Sequence, residues 1–264
     1  MTPLHLIVGA HERPVHPAVR RVTVADLRDA LVRGYADFVA MPSHAVFLLL
    51  IYPLAAIFVG GLTLGYNILP LAYPLMAGVA LIGPLAAIGL YEMSRRREAG
   101  LDADISHTFD VLEAPSFPAI ALLGLLLTGL FLAWVAAAQA IYESFFGPKP
   151  PASLLRFVSG VLTTPNGWKL IVIGNAVGFV FALAAFVLSV VSFPLLVDRD
   201  VGVLTAVATS VRTVLGNPLT MAIWGLIVAG LLLLGTLPFL AGLAVVIPVL
   251  GHASWHLYRK AVQP

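Results

Sequence analysis

Two periodicities alternate along this chain. Long uncharged apolar runs are separated by short stretches in which apolar residues recur at helical spacing with polar ones opposite. In Val203 to Leu215, Val203, Leu204, Val207, Val211, Val214 and Leu215 form one side, and Thr205, Thr209, Arg212 and Thr213 the other. This pattern predicts a helix lying flat on a membrane, greasy side down, joining two spans. Thr23 to Met41 predicts a second surface helix. It opens with a Thr23–Asp26 capping box; Leu27, Ala30, Leu31, Tyr35 and Phe38 line one side, and Asp29, Arg33 and Asp37 the other. Asp102 to Glu113 predicts a third, with Ile105, Phe109 and Leu112 on one face, and Ser153 to Leu162 a short amphipathic turn on the lipid surface.

The uncharged runs are long enough for spans of about 20 residues. They predict six, at about 44–64, 71–92, 119–142, 169–197, 218–235 and 237–258. The expected fold is all-α: a polytopic membrane protein of six transmembrane helices in three hairpins, with two or three amphipathic cytoplasmic surface helices. Residues 1–22 are expected to form a flexible cytoplasmic N-terminus, and 23–264 a single integral membrane domain. Surface helix, proline, span and return span recur at Pro42, Pro115 and Pro218, a pattern that internal duplication and ordinary hairpin punctuation both explain.

Composition agrees: 60% of residues are hydrophobic, 11% are charged, and mean hydropathy is +0.98. A chain this apolar would aggregate in water. The net charge of +2 does not indicate nucleic acid, because the basic residues sit between apolar runs. Six spans put twelve of the fifteen Lys and Arg residues on one side, leaving Lys149, Arg156 and Lys169 on the other. The positive-inside rule then makes both termini cytoplasmic. There is no cysteine, so disulfides, thiolate metal sites and a Cys nucleophile are excluded. The first residues carry no signal-peptide pattern.

Candidate chemistry is sparse. No phosphate-binding glycine loop, H-E-x-x-H or G-x-S-x-G occurs, so neither a hydrolase nor an ATPase has residues to rest on, and a non-enzymatic role is expected. His252 and His256 stand four apart near the end of the sixth span, on one helical face, and could turn toward a haem or copper. His44 and Glu92 would lie at the same membrane face as further ligands. The competing expectation is an interfacial belt of Trp255, His256, Tyr258, Arg259 and Lys260 among headgroups. Glu92, Arg95, Asp198 and Arg199 form a polar cluster at the rim, in which Asp198 or Asp200 is expected to cap the next helix and Glu92–Arg or Asp198–Arg pairs to tie hairpins together. Arg95 to Arg97 are expected to meet anionic lipid heads. Asn175 and Gln139 are expected to bond across to other helices, and Gly78, Gly83, Gly174 and Gly178 to mark close contacts.

Three runs carry a likeness: GPLAAIGLYEMSRRREAG (83–100), SFPLLVDRDVGVLTAVATSVRTVLGNP (192–218) and VIPVLGHASWHLYRKAV (246–262). In these the chain resembles a bacterial integral membrane family, a domain of unknown function, some of whose members are labelled as a cytochrome c oxidase subunit. The resemblance implies an inner-membrane address and no established activity. Membrane lipids are expected partners, and an accessory or scaffold role in a respiratory or other inner-membrane complex is the leading expectation. A small-solute or ion transporter, and a haem or copper protein using His252 and His256, are the alternatives.

Overall fold

The structure, a computed structural model, describes residues 17–41, 66–237 and 240–263. His44, the first expected span and the Asn67 side chain lie outside the described residues. The described chain is helical: α1 Val24–Ala40, α2 Ala72–Ala86, α3 Ile88–Glu98, α4 Phe117–Phe146, α5 Leu154–Thr163, α6 Pro165–Ser189, α7 Ser192–Asp198, α8 Val203–Gly216, α9 Pro218–Thr236 and α10 Leu243–Ala261. Two 3₁₀ helices, Tyr66–Leu71 and Ile105–Glu113, precede α2 and α4.

Among the described residues, three stretches are long and apolar enough to cross a membrane: α4, the α6–α7 stretch Pro165–Asp198, and α9. The other expected spans take different forms. The stretch 71–92 is divided at Ala87 into α2 and α3, and α3 carries Glu92, Arg95, Arg96, Arg97 and Glu98. Expected span six is shifted to α10, whose second half is polar and buried in protein. The fourth is bent. Pro194 lacks an amide hydrogen and its ring crowds the carbonyl four residues back, so the helix breaks at Val190–Val191. Ser210 of α8 repairs the break by accepting from the Val191 amide at 3.2 Å and donating to the Val187 carbonyl at 2.7 Å.

Residue contacts divide the chain into two compact units. The first comprises 1–51, 83–125 and 186–264. In it α1 lies along α10, burying Leu27, Ala30, Gly34 and Asp37, one face at 3-4-3 spacing. Gly34 makes this approach possible: a Cβ there would sit 2.5 Å from the Ala253 backbone nitrogen. Tyr35, on the apolar side of the expected surface helix, is exposed, and Asp37, expected on the polar side, is buried, because Gly34 rather than the larger residues sets the contact line.

In α8 the polar side is the one that meets protein. Thr209, Ser210 and Thr213 are buried and Leu204 and Leu215 exposed. Thr209 and Thr213 donate back to the carbonyls of Thr205 and Thr209, so their hydroxyls are satisfied before burial. Neither Asp198 nor Asp200 caps α8; its N-cap is Gly202 at φ 73°.

Residues 17–22, part of the stretch expected to be flexible, are tied down. Val19 forms an antiparallel bridge with Val262, and Asn217 accepts from the Val22 amide at 2.8 Å. The described ends of the chain therefore lie side by side.

The second unit comprises 52–82 and 126–185. Its centre is Trp134 of α4, which donates to the Pro74 carbonyl at 2.9 Å and packs on Phe181 with ring centroids 5.8 Å apart. Gly78 and Gly178 make room for that indole, whereas Gly83 and Gly174 face open space. Asn175 bonds across helices as expected, accepting from Tyr73 at 2.8 Å. Gln139 does not: it donates to Glu143 on its own helix at 2.6 Å.

Candidate functional site: a buried carboxylate network

The polar residues of the first unit converge where α1, α3, α7 and α10 meet. At the centre is Asp37, only 5% exposed. Its Oδ2 takes two donors, Ser94 Oγ at 2.6 Å and His256 Nε2 at 2.8 Å, while Oδ1 pairs with Arg97. Ser94 Oγ also lies 2.8 Å from His252 Nδ1. A hydroxyl has one proton, and the ionised Asp37 carboxylate can only accept. Ser94 therefore gives its proton to Asp37 and accepts from His252 Nδ1–H, which assigns the ring's tautomer. His252 is fully buried, and its Nε2 has no hydrogen-bond partner.

Burial pushes the Asp37 carboxyl up, but the hydrogen bonds from His256 and Ser94 outweigh it, and the carboxyl is held below the usual carboxylate range. This Ser, His and carboxylate are connected in an order that does not suit acyl transfer. A nucleophilic serine passes its proton to histidine, whereas Ser94 spends its proton on the carboxylate.

A second tier surrounds this centre. Glu98 accepts from Trp255 Nε1 at 2.9 Å and from Arg259 at 3.2 Å, joining α3 to α10. Asp198 accepts from the Tyr258 hydroxyl at 2.5 Å, from Arg199 at 3.2 Å and from Arg259 at 3.4 Å, joining α7 to α10. Lys260 reaches Asp29 of α1 at 2.9 Å. The expected Asp198–Arg tie between helices is thus present. Glu92, by contrast, is held within its own helix: Arg95 grips both of its oxygens at 2.7 Å. Arg96 turns to Asp110 at 3.0 Å, and these four residues border a cavity of about 120 Å³.

The rim residues named from sequence form two pairs, Glu92 with Arg95 and Asp198 with Arg199. The expected belt does not form. Trp255 and Tyr258 are 1% exposed because the neighbouring helices cover them. His252 and His256 share a helix face but are engaged with Ser94 and Asp37, and among the described residues no group of three His, Asp or Glu side chains could hold a metal ion. Sequence reasoning missed Asp37, Ser94 and Arg97. The signal was available in α1, where a mid-helix Gly34 continues the spacing of Leu27 and Ala30 and points the same face on to Asp37.

Neither a curated protein nor a solved structure matches the chain. Residues 72–198, just under half of the chain and including α3 with its Glu92–Arg97 run and the interrupted α6–α7 stretch, match the family model described as "Predicted integral membrane protein (DUF2189)", a domain of unknown function, and its long apolar helices agree with a place in the membrane.

Proposed function

We propose that the protein is a non-enzymatic accessory or scaffold component of a membrane complex, in the bacterial inner membrane. One observation carries this reading. Three buried or half-buried carboxylates of the first unit are spent on holding its own helices: Asp37, Glu98 and Asp198 each tie α10 to a different element. A buried ion pair costs desolvation and returns little net stability, but it fixes one arrangement of the groups around it. What it fixes here includes α1, which lies outside the long apolar helices and presents Val24, Val32, Tyr35 and Val39 outward. A helix fixed in this way, with exposed apolar residues on either side of Arg28, suits a platform for another membrane protein.

Purification in mild detergent tests this. A stoichiometric membrane-protein partner, lost when Val32 and Tyr35 are changed to Ser, is the expected result; a protein that always purifies alone would count heavily against the role. The paired chain ends support an even number of crossings with both termini on one side, cytoplasmic by the charge distribution. Reporter tags on the two ends should then give the same answer.

A transporter is the second reading, favoured by the unpartnered His252 Nε2 at the end of a chain of titratable groups. In reconstituted vesicles, a proton or solute flux abolished by His252→Phe would move the assignment there.

A further inference from the structure

In the second unit, α5 lies between α4 and α6 in sequence and packs against both on its inner side. Phe157 packs edge-on against Tyr142, ring centroids 6.1 Å apart, and Tyr142 stacks on Phe146 at 5.4 Å. At the corner into α6, Thr164 Oγ1 donates to the Gly160 carbonyl at 2.6 Å and accepts from the Gly167 amide at 3.0 Å. A side chain at Gly167 would land on the carbonyl oxygens of Gly160 and Val161, so the two helices meet as closely as backbones can. Asn166 closes the corner by donating to the Phe145 carbonyl at 3.0 Å.

The outer side of α5 is unpartnered. Leu154, Leu155, Val158 and Leu162 fall within an arc of about 100° at 3.6 residues per turn, and all four are exposed, Leu155 to 80%. Arg156, Ser159 and Thr163 occupy the opposite arc. A helix with exposed apolar and polar faces, pinned at the end of two long apolar helices, has the form of an in-plane membrane anchor. Its charge selects the lipid. From Ser144 to Val197 there is no Asp or Glu, while Lys149, Arg156 and Lys169 are exposed. Among the described residues none of the three enters an ion pair, and Trp168, 57% exposed, stands beside Lys169.

We propose that the outer face of α5 is buried in the headgroup–acyl boundary of the bilayer, and that Lys149, Arg156 and Lys169 bind anionic phospholipid headgroups there. This extends beyond the scaffold reading and does not depend on it.

The chain has no cysteine, so single cysteines at Leu155 and Ser159 can carry nitroxide labels in the full-length protein, reconstituted in phosphatidylcholine vesicles with and without phosphatidylglycerol. The label at Leu155 should collide with oxygen more than with an aqueous nickel complex, and the label at Ser159 the reverse. A Leu155 label favouring the nickel complex would overturn the proposal by placing the face in water. Exclusion of both reagents would overturn it by showing a protein covering the face.

The headgroup half is read by native mass spectrometry. Each juxtamembrane basic residue contributes about fivefold to anionic-lipid association. Lys149→Gln, Arg156→Gln and Lys169→Gln together should therefore cut retained phosphatidylglycerol at least fivefold and leave phosphatidylcholine unchanged. Equal retention by the triple variant would sink the charge assignment.

Discussion

The two units of this protein solve the same problem, fixing helices against one another, with opposite chemistry. In the first, a carboxylate at the centre of α1 gathers Ser94, Arg97 and two imidazoles, and α10 is tied to its neighbours by charge. In the second, an indole wedges between two glycines and a few neutral hydrogen bonds complete the packing. The difference lies in what each polar group would lose. Asp37 is cut off from water and has no other partners, so its network must be complete to be tolerated. Tyr73 and Asn175 make a single neutral bond at an exposed position, and either can find a substitute.

The largest effect should come from removing the carboxylate. Asp37→Ala leaves the donors of Ser94 and His256 buried without an acceptor and Arg97 without its counter-ion, a loss of about 3–5 kcal/mol. Arg97 is half-exposed and can turn to water, which favours the lower end of that range. Asp37→Asn retains one acceptor oxygen and should lose clearly less. Thermal unfolding in detergent measures both, and hydrogen exchange should show the added loss concentrated in α1. Equal stability of Asp37→Ala and the parent would remove the network from the account of how the first unit is held.

Trp134→Ala is the matching change in the second unit. It removes the wedge and the bond to the Pro74 carbonyl together, and deletion of a buried indole costs about 3 kcal/mol or more. Hydrogen exchange should rise in α2 and α6 near Gly78 and Gly178 while α1 keeps its protection. A uniform rise across both units would mean they do not behave as separate packing units.

The same contrast explains what could be read in the sequence. The all-helical membrane character and the helices α1, α4, α5, α8 and α9 were legible because each depends on local periodicity. The buried partners were not. Ser94 precedes a basic triplet and looks like rim, yet it is the bridge between Asp37 and His252. Asp37 looks solvated on a helical wheel because charge normally marks the outer face, and only the Gly34–Ala253 approach reverses that. Trp255 and Tyr258 have the composition of a headgroup belt, and whether such residues meet lipid or protein depends on what covers them. Gly174 and Gly178 fit one small-residue motif, but the indole touches only Gly178. Spacing fixes which face a residue occupies, and tertiary contact fixes what that face meets.

Acid separates the two units without mutation. The Asp37 carboxyl is depressed in the folded protein, so its contribution is fully present above the ordinary carboxylate value of about 4 and is lost as pH falls through the lower folded value. Asp26 and Asp29, which cap α1 and meet Lys260, are depressed as well and act in the same direction. The second unit contains a single acid, Glu143. Lowering pH from 6 toward 3 should therefore raise exchange in α1 and the second half of α10, corrected for the intrinsic rate, and leave α4–α6 between 126 and 185 unchanged. Loss of protection in both units together would show that acid acts on something other than these carboxylates.

The smallest effect sharpens the comparison most. Tyr73→Phe deletes the bond to Asn175 Oδ1 and nothing else in the ring's packing. Interhelical hydrogen bonds within membrane proteins average about 0.6 kcal/mol, since the separated helices find other partners. Asn175 already has one, because its Nδ2 donates to the Ile171 carbonyl of its own helix at 2.7 Å. The expected change in unfolding midpoint is therefore near the limit of measurement, several-fold below that of Asp37→Ala. A loss for Tyr73→Phe as large as for Asp37→Ala would mean that polar bonds hold the second unit as firmly as charge holds the first, and the division between a network that must be complete and a wedge that need not be would fail.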